Sequence, residues 1–192
     1  MDFLPFVEQA RTCRRFYEDK PLSQDDLTWL VRCARATPSA RNAQVVRFVL
    51  ITGKTCAQVF PNTHWAMALK DWKGPVEGER PTAFLGLVLP KDAPSIALID
   101  LGIVAQTVQL AAHSRGYGSC IIKSFDKEAV STLLSLDPSQ SLELVVGLGV
   151  ALEKRGICPI DSSGSLNYFR DAEGTHWVPK RSVEELICGR FS

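Results

Sequence analysis

Three arginines and a hydroxyl stand close together near the start of the chain, in the run Ala10-Arg11-Thr12-Cys13-Arg14-Arg15-Phe16. A guanidinium group offers a planar fork of hydrogen-bond donors, which suits a phosphate or the edge of a planar heteroaromatic ring. The hydroxyl of Thr12 adds a further donor and acceptor. This pattern indicates a site for an anionic or heteroaromatic ligand, with a solvated basic turn as the alternative.

A second polar run, Pro38-Ser39-Ala40-Arg41-Asn42-Ala43-Gln44, lies between a predicted helix and a predicted strand. Small polar side chains beside an apolar wall can hydrogen-bond a neutral polar ring. The run therefore predicts a loop that contacts a ligand, and an ordinary helix-to-strand connection is the alternative.

A third run, Val178-Pro179-Lys180-Arg181, places two cations just before a predicted helix. Together with the positive end of that helix, these cations could complete an anion site begun at the other end of the chain. The alternative is a pair of surface cations that flank the helix.

The sequence lacks several common catalytic motifs: the G-x-S-x-G nucleophile elbow, the H-E-x-x-H zinc motif, the P-loop and any C-x-x-C pair. No metal site is therefore predicted. Gly147-Leu148-Gly149 resembles the start of a dinucleotide fingerprint, but Leu152 stands where the third glycine belongs, and the glycines fall inside a predicted strand. Thiol chemistry at Cys13 or Cys120 stays an alternative, although free thiols are more often simply packed.

The composition predicts a globular chain without a charge-driven partner. Among 192 residues, 22 Lys and Arg balance 21 Asp and Glu, for a formal charge of +1, so neither a nucleic acid nor an anionic membrane is an expected partner. With 45% hydrophobic and 22% charged residues, the chain can bury a core. We expect a single domain over residues 1–192.

Six cysteines are scattered along the chain, and its first residues do not resemble a secretory signal peptide. Both features favour reduced thiols and a cytoplasmic protein. The most apolar stretch, Ile96 to Ala112, carries Asp100, Gln106 and Gln109, and so predicts a buried core helix rather than a membrane span.

Hydrophobic periodicity predicts the elements that position these runs. Two S-x-x-D/E capping boxes, Ser23 with Asp26 and Ser182 with Glu185, predict helix starts, and Asp100 is the expected cap of the apolar helix. Helices are predicted over residues 3–9, from 23 to about 38, from 96 to about 115, over 126–135 and from 182, and strands over 47–52, 83–89, 119–122 and 143–152. The first two strands are expected to be buried, in an α+β fold with helices on both faces of the sheet.

Two segments lack such a pattern. Residues 54–81, which contain Trp65 and Trp72, predict either a lid that sets the size of a ligand or a packed surface loop. Residues 153–192 predict a polar C-terminal extension that ends in a short helix.

Taken in order and spacing, the runs resemble the FMN-dependent nitroreductase family. The family pattern is approximately R-R-S-x-R-x-F, then P-S-x-x-N-x-Q-P-W, then an Asp-led apolar helix that ends in G-x-G-S/T, and finally a basic pair. The matching runs here are Arg11 to Phe16, Pro38 to Gln44, Asp100 through Gly116-Tyr117-Gly118-Ser119-Cys120, and Pro179-Lys180-Arg181. Four motifs in register over nearly the whole chain are more specific than any one of them.

The resemblance implies an α+β fold, with a mixed, largely antiparallel sheet sandwiched by helices, assembled as an intertwined homodimer with FMN sites at the interface. It implies that the 38–44 loop contacts the isoalloxazine, partly from the partner, and that the C-terminal cations contact the phosphate. The cofactor-binding residues it implies are Arg11, Thr12, Arg14, Pro38, Ser39, Ala40, Asn42, Gln44, Gly118, Ile122, Lys123, Ser124, Lys180 and Arg181.

The resemblance also implies an NAD(P)H-dependent oxidoreductase. In the implied ping-pong cycle, hydride passes from NAD(P)H to the flavin and then to an electron-poor acceptor such as a nitroaromatic or a quinone. No catalytic side chain is needed, and Arg14 could act electrostatically near the pyrimidine end of the flavin. The alternative is a flavin-binding sensor or carrier without turnover.

The chain departs from the family pattern at four points. Ala10 replaces the first arginine, Thr12 replaces serine, and Val45-Val46 replace Pro-Trp. The two C-terminal cations are adjacent, where relatives often separate them by one residue. These departures concern the affinity for FMN rather than the fold.

Overall fold

The computed structural model describes residues 2–191 and contains two β-sheets. Short 3-10 turns occupy Ala40–Asn42 and Phe60–Asn62. The helices are α1 Phe3–Gln9, α2 Gln24–Arg35, α3 Gly53–Val59, α4 Ala97–Ser114, α5 Lys127–Leu133 and α6 Val183–Leu186. The strands are β1 Phe16–Tyr17, β2 Arg47–Thr52, β3 Ala83–Pro90, β4 Tyr117–Ile122, β5 Gln140–Ala151, β6 Arg155–Pro159, β7 Phe169–Arg170 and β8 His176–Lys180.

The larger sheet is antiparallel in all its strand pairs. Its longest strand, β5, pairs with β4 on one side and with β3 on the other, and β2 continues the sheet beyond β3. The short strand β1 pairs with the last residues of β5. In the smaller sheet, β8 lies between a parallel β6 and an antiparallel β7.

Helices cover both faces of the larger sheet, as predicted. In β3, Leu85, Leu87 and Leu89 belong to a core cluster with residues of α2 and α4. The alternating residues Phe84 and Val88 belong to a second cluster with residues of α3 and α5. Because successive side chains of a strand point to opposite faces, a fully apolar strand is what a sheet between two helical layers requires. The α+β class and the antiparallel sheet between helices are therefore confirmed.

The two glycines of β5 make room for aromatic rings. A Cβ at Gly147 would lie 2.9 Å from the Cη2 atom of Trp65, and a Cβ at Gly149 would lie 2.9 Å from the Cβ of Phe16. Both rings are buried in the second core cluster. The Gly-Leu-Gly run is thus a packing feature within a strand, and not a dinucleotide fingerprint.

Local signals in the sequence determine most element ends. The side chain of Ser23 accepts from the backbone N–H of Asp26 at the start of α2, and Ser182 does the same with Glu185 at α6. Gly116, with a φ of +76°, follows α4 in the left-handed conformation that terminates helices. Both predicted capping boxes are confirmed.

Two sequence-based expectations were wrong. Residues 54–62 of the supposed irregular segment are mostly helical, in α3 and the following 3-10 turn. The strand β2 is buried only at Ile51, because in one chain it is the edge of the sheet and lies beyond β3.

The segment after Glu153 ends in the short helix α6, as predicted. It also forms the three-stranded sheet of β6, β7 and β8, which was not predicted, because these strands are short and show no apolar alternation.

The helix α4 packs against α2, β3 and β4, in agreement with the prediction of a core helix. Within residues 2–191, no helix combines the length and apolar character needed to cross a membrane.

We expect Gly147→Ala to lower the free energy of unfolding by about 1–3 kcal/mol, because the new methyl group would overlap the ring of Trp65. Urea denaturation of the purified variant measures this change. In a Trp65→Phe background, the shorter ring frees the space, so the same substitution should cost clearly less. An equal cost in both backgrounds would show that the overlap is not the cause.

Candidate functional site

The N-terminal run lies between β4 and the smaller sheet. Thr12 forms a bridge with Ser119 of β4, and the backbone N–H of Cys13 donates to the carbonyl of Ser119 at 2.7 Å. A Cβ at Gly118 would lie 2.5 Å from the Sγ of Cys13, so this glycine allows the close approach. Gly118 therefore supports the arginine run by leaving space for the side chain of Cys13.

Arg14 is held by residues that follow β5. Its backbone N–H donates to the carboxylate of Glu153. Its guanidinium Nη1 lies 3.0 Å from Nε2 of His176, and its guanidinium carbon lies 4.5 Å from the centre of the Tyr168 ring. The smaller sheet thus supplies one wall of the site.

Two further arginines, Arg155 and Arg170, lie at this wall. Arg155 donates from Nη1 to the carbonyl of Arg11 at 3.4 Å, and Arg170 donates to the carboxylate of Glu153 at 3.1 Å. Burial and the neighbouring guanidinium groups lower the pKa of His176 to about 4, so this side chain is neutral near pH 7. The guanidinium groups of Arg14, Arg155 and Arg170 all lie near His176, and the one buried carboxylate, Glu153, pairs with Arg170, so positive charge predominates in this region.

Several buried polar atoms in this region have no hydrogen-bond partner among residues 2–191. An unpaired buried donor costs about 1–3 kcal/mol, so such atoms normally face water or a ligand. They are Nε of Arg11, Nε of Arg14, Nε of Arg170 and Nδ1 of His176. This concentration of unpaired donors around positive charge fits an anion or the oxygen-rich edge of a heteroaromatic ring.

The 38–44 loop forms a second group, which is bound to α4. Arg41, Asn42 and Gln44 have φ values of 54°, 53° and 48°, a left-handed conformation that L-residues adopt at a cost of roughly 1–3 kcal/mol each. The backbone N–H of Ala40 donates to Oδ1 of Asp100 at 2.9 Å, and that of Gln44 donates to Oγ of Ser39 at 3.2 Å. The strained loop is thus fixed by specific hydrogen bonds.

Asp100 does not cap α4, contrary to the sequence-based expectation. The helix begins at Ala97, so Asp100 lies in its first turn, where its side chain points to the loop instead. Its Oδ2 is buried and unpaired within the part of the chain described. Asp100, Ser39 and Gln44 line a cavity of about 250 Å³, whose remaining wall includes Val31 and Phe48.

The 38–44 loop and the helix α1, which leads into the arginine run, contact α4 near its opposite ends. The loop contacts Asp100, whereas the ring of Phe6, in the helix that leads into the arginine run, lies 5.0 Å from that of His113. Thirteen residues of helix separate these contacts, which is about 20 Å at 1.5 Å per residue. A fused three-ring system is much shorter than this separation.

The last residue of β4 and the two residues that follow it already make contacts within the chain. Ile122 is buried, and Nζ of Lys123 donates to the carboxylate of Glu143 at 2.7 Å. The carbonyl of Ser124 accepts from the backbone N–H of His64 at 3.0 Å. The predicted contact of this segment with a flavin stays a prediction.

Lys180 and Arg181 lie elsewhere in the chain. They border a cavity of about 630 Å³, and Arg181 is 3.5 Å from Glu185. Lys180 is four residues along β8 from His176, or about 13 Å. The arginine run is contacted by Arg155 and His176, and its convergence with Lys180 and Arg181 around one phosphate stays a prediction.

The two tryptophans of the 54–81 segment differ. Trp65 is 6% exposed and donates from Nε1 to the hydroxyl of Thr63 at 2.8 Å, so it packs the core and is not a lid residue. Trp72 is half-buried, and the guanidinium of Arg170 stacks 4.3 Å above its ring. Only the second tryptophan adjoins the arginine cluster.

The two cysteines near the site are poorly suited to nucleophilic chemistry. Burial raises the pKa of the Cys13 thiol to about 11 and that of the Cys120 thiol to about 12. Reactive cysteines need the thiolate at working pH. The structure therefore favours a packing role for both.

Sequence reasoning missed the partners of Arg14: Glu153, Tyr168 and His176. Glu153 directly follows a long apolar strand, but a charged residue at such a position is normally exposed, so it gave no signal of its buried contact. The contact between Glu153 and Arg14 spans 139 residues, so no local pattern reveals it.

We expect Asp100→Ala to accelerate hydrogen exchange at the amide of Ala40 by about 10-fold, because that amide loses its acceptor. Exchange measured by NMR or mass spectrometry checks this. Asp100→Asn keeps an oxygen in the same place and is the matched control, expected to exchange close to the wild-type rate. Equal acceleration in both variants would contradict the assigned role.

Glu143 should make the fold sensitive to acid. Burial alone would raise the pKa of its carboxyl, but hydrogen bonds from Lys123, Lys127 and Ser141 outweigh this and lower the pKa to about 2. The unfolded value is about 4.3, so the stabilisation is complete above that pH and is lost as the pH falls toward the folded value.

Urea unfolding of wild type and Glu143→Gln between pH 6 and pH 2 tests this expectation. The wild type should be more stable by about 1 kcal/mol at pH 6, since the exposed ammonium groups are screened by solvent. The difference should shrink as the pH falls. A difference that does not change with pH would refute the assignment.

Comparison with known proteins identifies the family of this chain. The Nitroreductase family model matches residues 7–150. A Streptococcus pyogenes protein, named as a candidate NAD(P)H nitroreductase, is 24% identical over 185 aligned residues that cover 80% of this chain and 92% of the relative.

Solved structures share the fold. A nitroreductase candidate from Desulfovibrio desulfuricans, solved in complex with FMN, has a TM-score of 0.70 at 20% identity and covers 100% of this chain and 98% of that chain. An FMN-dependent nitroreductase from Clostridium difficile has a TM-score of 0.62 at 19% identity, with coverage of 84% and 94%. Because the family model matches well over half of the sequence, the chain belongs to the Nitroreductase family.

Proposed function

We propose that the protein is an FMN-dependent oxidoreductase, which passes hydride from NAD(P)H to an electron-poor acceptor such as a nitroaromatic or a quinone in a ping-pong cycle. The observation that carries this proposal is that the Nε atoms of Arg11 and Arg14 are buried and unpaired, in a region where positive charge predominates. Family membership supports it, as does the FMN bound in the Desulfovibrio structure, whose similarity extends over this whole chain.

The residues present suit the chemical parts of FMN. Arg11 and the hydroxyl of Thr12 offer donors for a phosphate, and Arg14 offers donors for the carbonyl-bearing pyrimidine edge. Ser39, Asn42 and Gln44 offer neutral hydrogen-bonding groups for the ring system. Lys180 and Arg181 would add positive charge at the phosphate, and the segment from Ile122 to Ser124 would face the reactive edge.

When bound, FMN supplies the hydride chemistry, and the side chains supply binding and electrostatics. Arg14 places a permanent positive charge at the pyrimidine end, where negative charge develops on reduction. Its guanidinium is already oriented by His176 and Tyr168, and Glu153 holds its backbone N–H, so little reorganisation is needed on binding. A fixed cation of this kind favours the reduced form of the cofactor.

We further propose that the working unit is a homodimer in which each site combines the arginine run of one chain with the 38–44 loop of its partner. The loop contacts α4 at Asp100, about 20 Å along the helix from the contact with α1, which leads into the arginine run, and this spacing supports a site shared between two chains. Leu98 and Ile99 of α4 are 56% and 59% exposed, and Gly102 beside them is also exposed. An apolar helix face with a glycine suits close packing against a second copy.

The direct test is whether the purified protein is yellow and releases FMN on denaturation. We expect one FMN per chain, and oxidation of NADH or NADPH that depends on a nitroaromatic or a quinone. Arg14→Ala should bind FMN about 10-fold more weakly, because it loses charge-assisted hydrogen bonds. Arg32→Ala, which removes an exposed arginine of α2, is the matched control.

Other outcomes would change the proposal. Bound FMN without turnover with any of these acceptors would support a flavin carrier or sensor instead. A colourless protein that does not bind added FMN would overturn the proposal.

A further inference from the structure

We propose that His176 is a positioning residue that fixes the direction of the Arg14 guanidinium by accepting a hydrogen bond from it. The inference rests on the proposed function, because it concerns how Arg14 is presented to the flavin. The residue belongs to the smaller sheet, outside the motifs that carry the family resemblance.

The contact fixes the protonation state of the ring. Nε2 of His176 lies 3.0 Å from Nη1 of Arg14. A guanidinium group has only donors and stays protonated, so Nε2 must be the acceptor. The ring is then the neutral tautomer with its hydrogen on Nδ1. A protonated ring would present a donor to a donor and break the contact.

The imidazole is itself held on several sides. The backbone N–H of His176 donates to the carbonyl of Lys154 at 2.8 Å, and β8 is paired on both edges. The side chain is fully buried, and its ring centre lies 5.1 Å from that of Tyr168. Because the acceptor cannot move freely, the guanidinium that donates to it is restrained as well.

Arg14 is therefore restrained at three different points. Glu153 holds the backbone nitrogen, the ring of Tyr168 covers one face of the guanidinium, and His176 binds one of its two terminal nitrogens. Its Nε is buried and finds no partner in residues 2–191. This is the pattern expected of a group that is held by the protein on one side and kept available on the other.

The surrounding charges keep His176 neutral. Arg155 on β6, Arg170 on β7 and Arg14 all face the ring, and Glu153 is paired with Arg170 and with the backbone of Arg14. Burial and these cations lower the pKa of His176 to about 4. The acceptor therefore persists across the neutral range.

The test is a double-mutant cycle on the full-length protein. The variants are His176→Phe, which removes the acceptor, His176→Gln, whose amide oxygen can replace it, Arg14→Ala, and Arg14→Ala with His176→Phe. The readouts are the Kd for FMN of the apoprotein, from flavin fluorescence, and the midpoint potential of the bound flavin.

We expect His176→Phe to raise the Kd for FMN about 10-fold, the size of effect typical for one hydrogen bond to a charged group. The midpoint potential should fall, because the cation near the pyrimidine is less well placed. His176→Gln should remain within about 3-fold of wild type. In the Arg14→Ala background, His176→Phe should have almost no further effect.

The experiment distinguishes a failure of the proposed function from a failure of the positioning role of His176. If wild type does not bind FMN, the proposed function fails whatever the variants do. If wild type binds FMN and His176→Phe has the same effect with and without Arg14, the positioning role is wrong.

A measurement on the wild-type protein covers the case in which His176→Phe does not fold. Ring nitrogen shifts from NMR should show the Nδ1–H tautomer of His176 from pH 8 to pH 5. A hydrogen on Nε2, or protonation of the ring within this range, would overturn the inference.

Discussion

The apolar helix α4 must be covered on nearly all sides, and much of the structure follows from how this is achieved. Its buried residues pack against α2 and the larger sheet, while Leu98 and Ile99 face outward. Each Å² of apolar surface that is buried contributes about 25 cal/mol of free energy, which favours covering that face as well. Along the same helix, the contact with the 38–44 loop at Asp100 and the contact with α1 at His113 are about 20 Å apart. In the homodimer that we propose, one partner chain would both cover this face of the helix and complete the site.

Charge balance is the second constraint, and it centres on Glu153. Its side chain is fully buried and is shared between the backbone of Arg14 and the guanidinium of Arg170. A single buried carboxylate does not balance the guanidinium groups of Arg14, Arg155 and Arg170 around His176, and this excess of positive charge is why we propose an anion site here. The neutral state of His176 avoids adding to this positive charge. The near-zero net charge of the whole chain therefore coexists with a strongly positive local site.

The sequence reveals the parts of the fold that depend on near neighbours. Ser23 and Asp26 define the start of α2, and continuous apolar runs define β3 and β5, because these signals act within a few residues. The small sheet escaped prediction since β7 has only two residues and β8 contains Pro179. Its strands form because they pair with one another, which no local pattern indicates.

The site residues also divide into those with a local sequence signal and those that depend on long-range contacts. The arginine run and the loop were recognised from their residue types, but the roles of Asp100 and Glu153 depend on contacts across 60 and 139 residues. A carboxylate that follows a helix start is normally expected to be a cap, and Asp100 instead binds the loop because α4 begins one turn earlier. Such tertiary contacts decide which polar residues support the site.

The central claim is that one site needs two chains, and complementation between two defective variants tests it most directly. Arg14→Ala removes the cation, and Asn42→Ala with Gln44→Ala removes polar groups of the loop, so each homodimer should bind FMN at least about 10-fold more weakly than wild type. A heterodimer of the two, isolated through different affinity tags, contains one arginine run and one loop that are both intact. We predict that it binds one FMN per dimer with the wild-type Kd. A heterodimer without a site of wild-type affinity, although wild type binds FMN, would contradict the shared site.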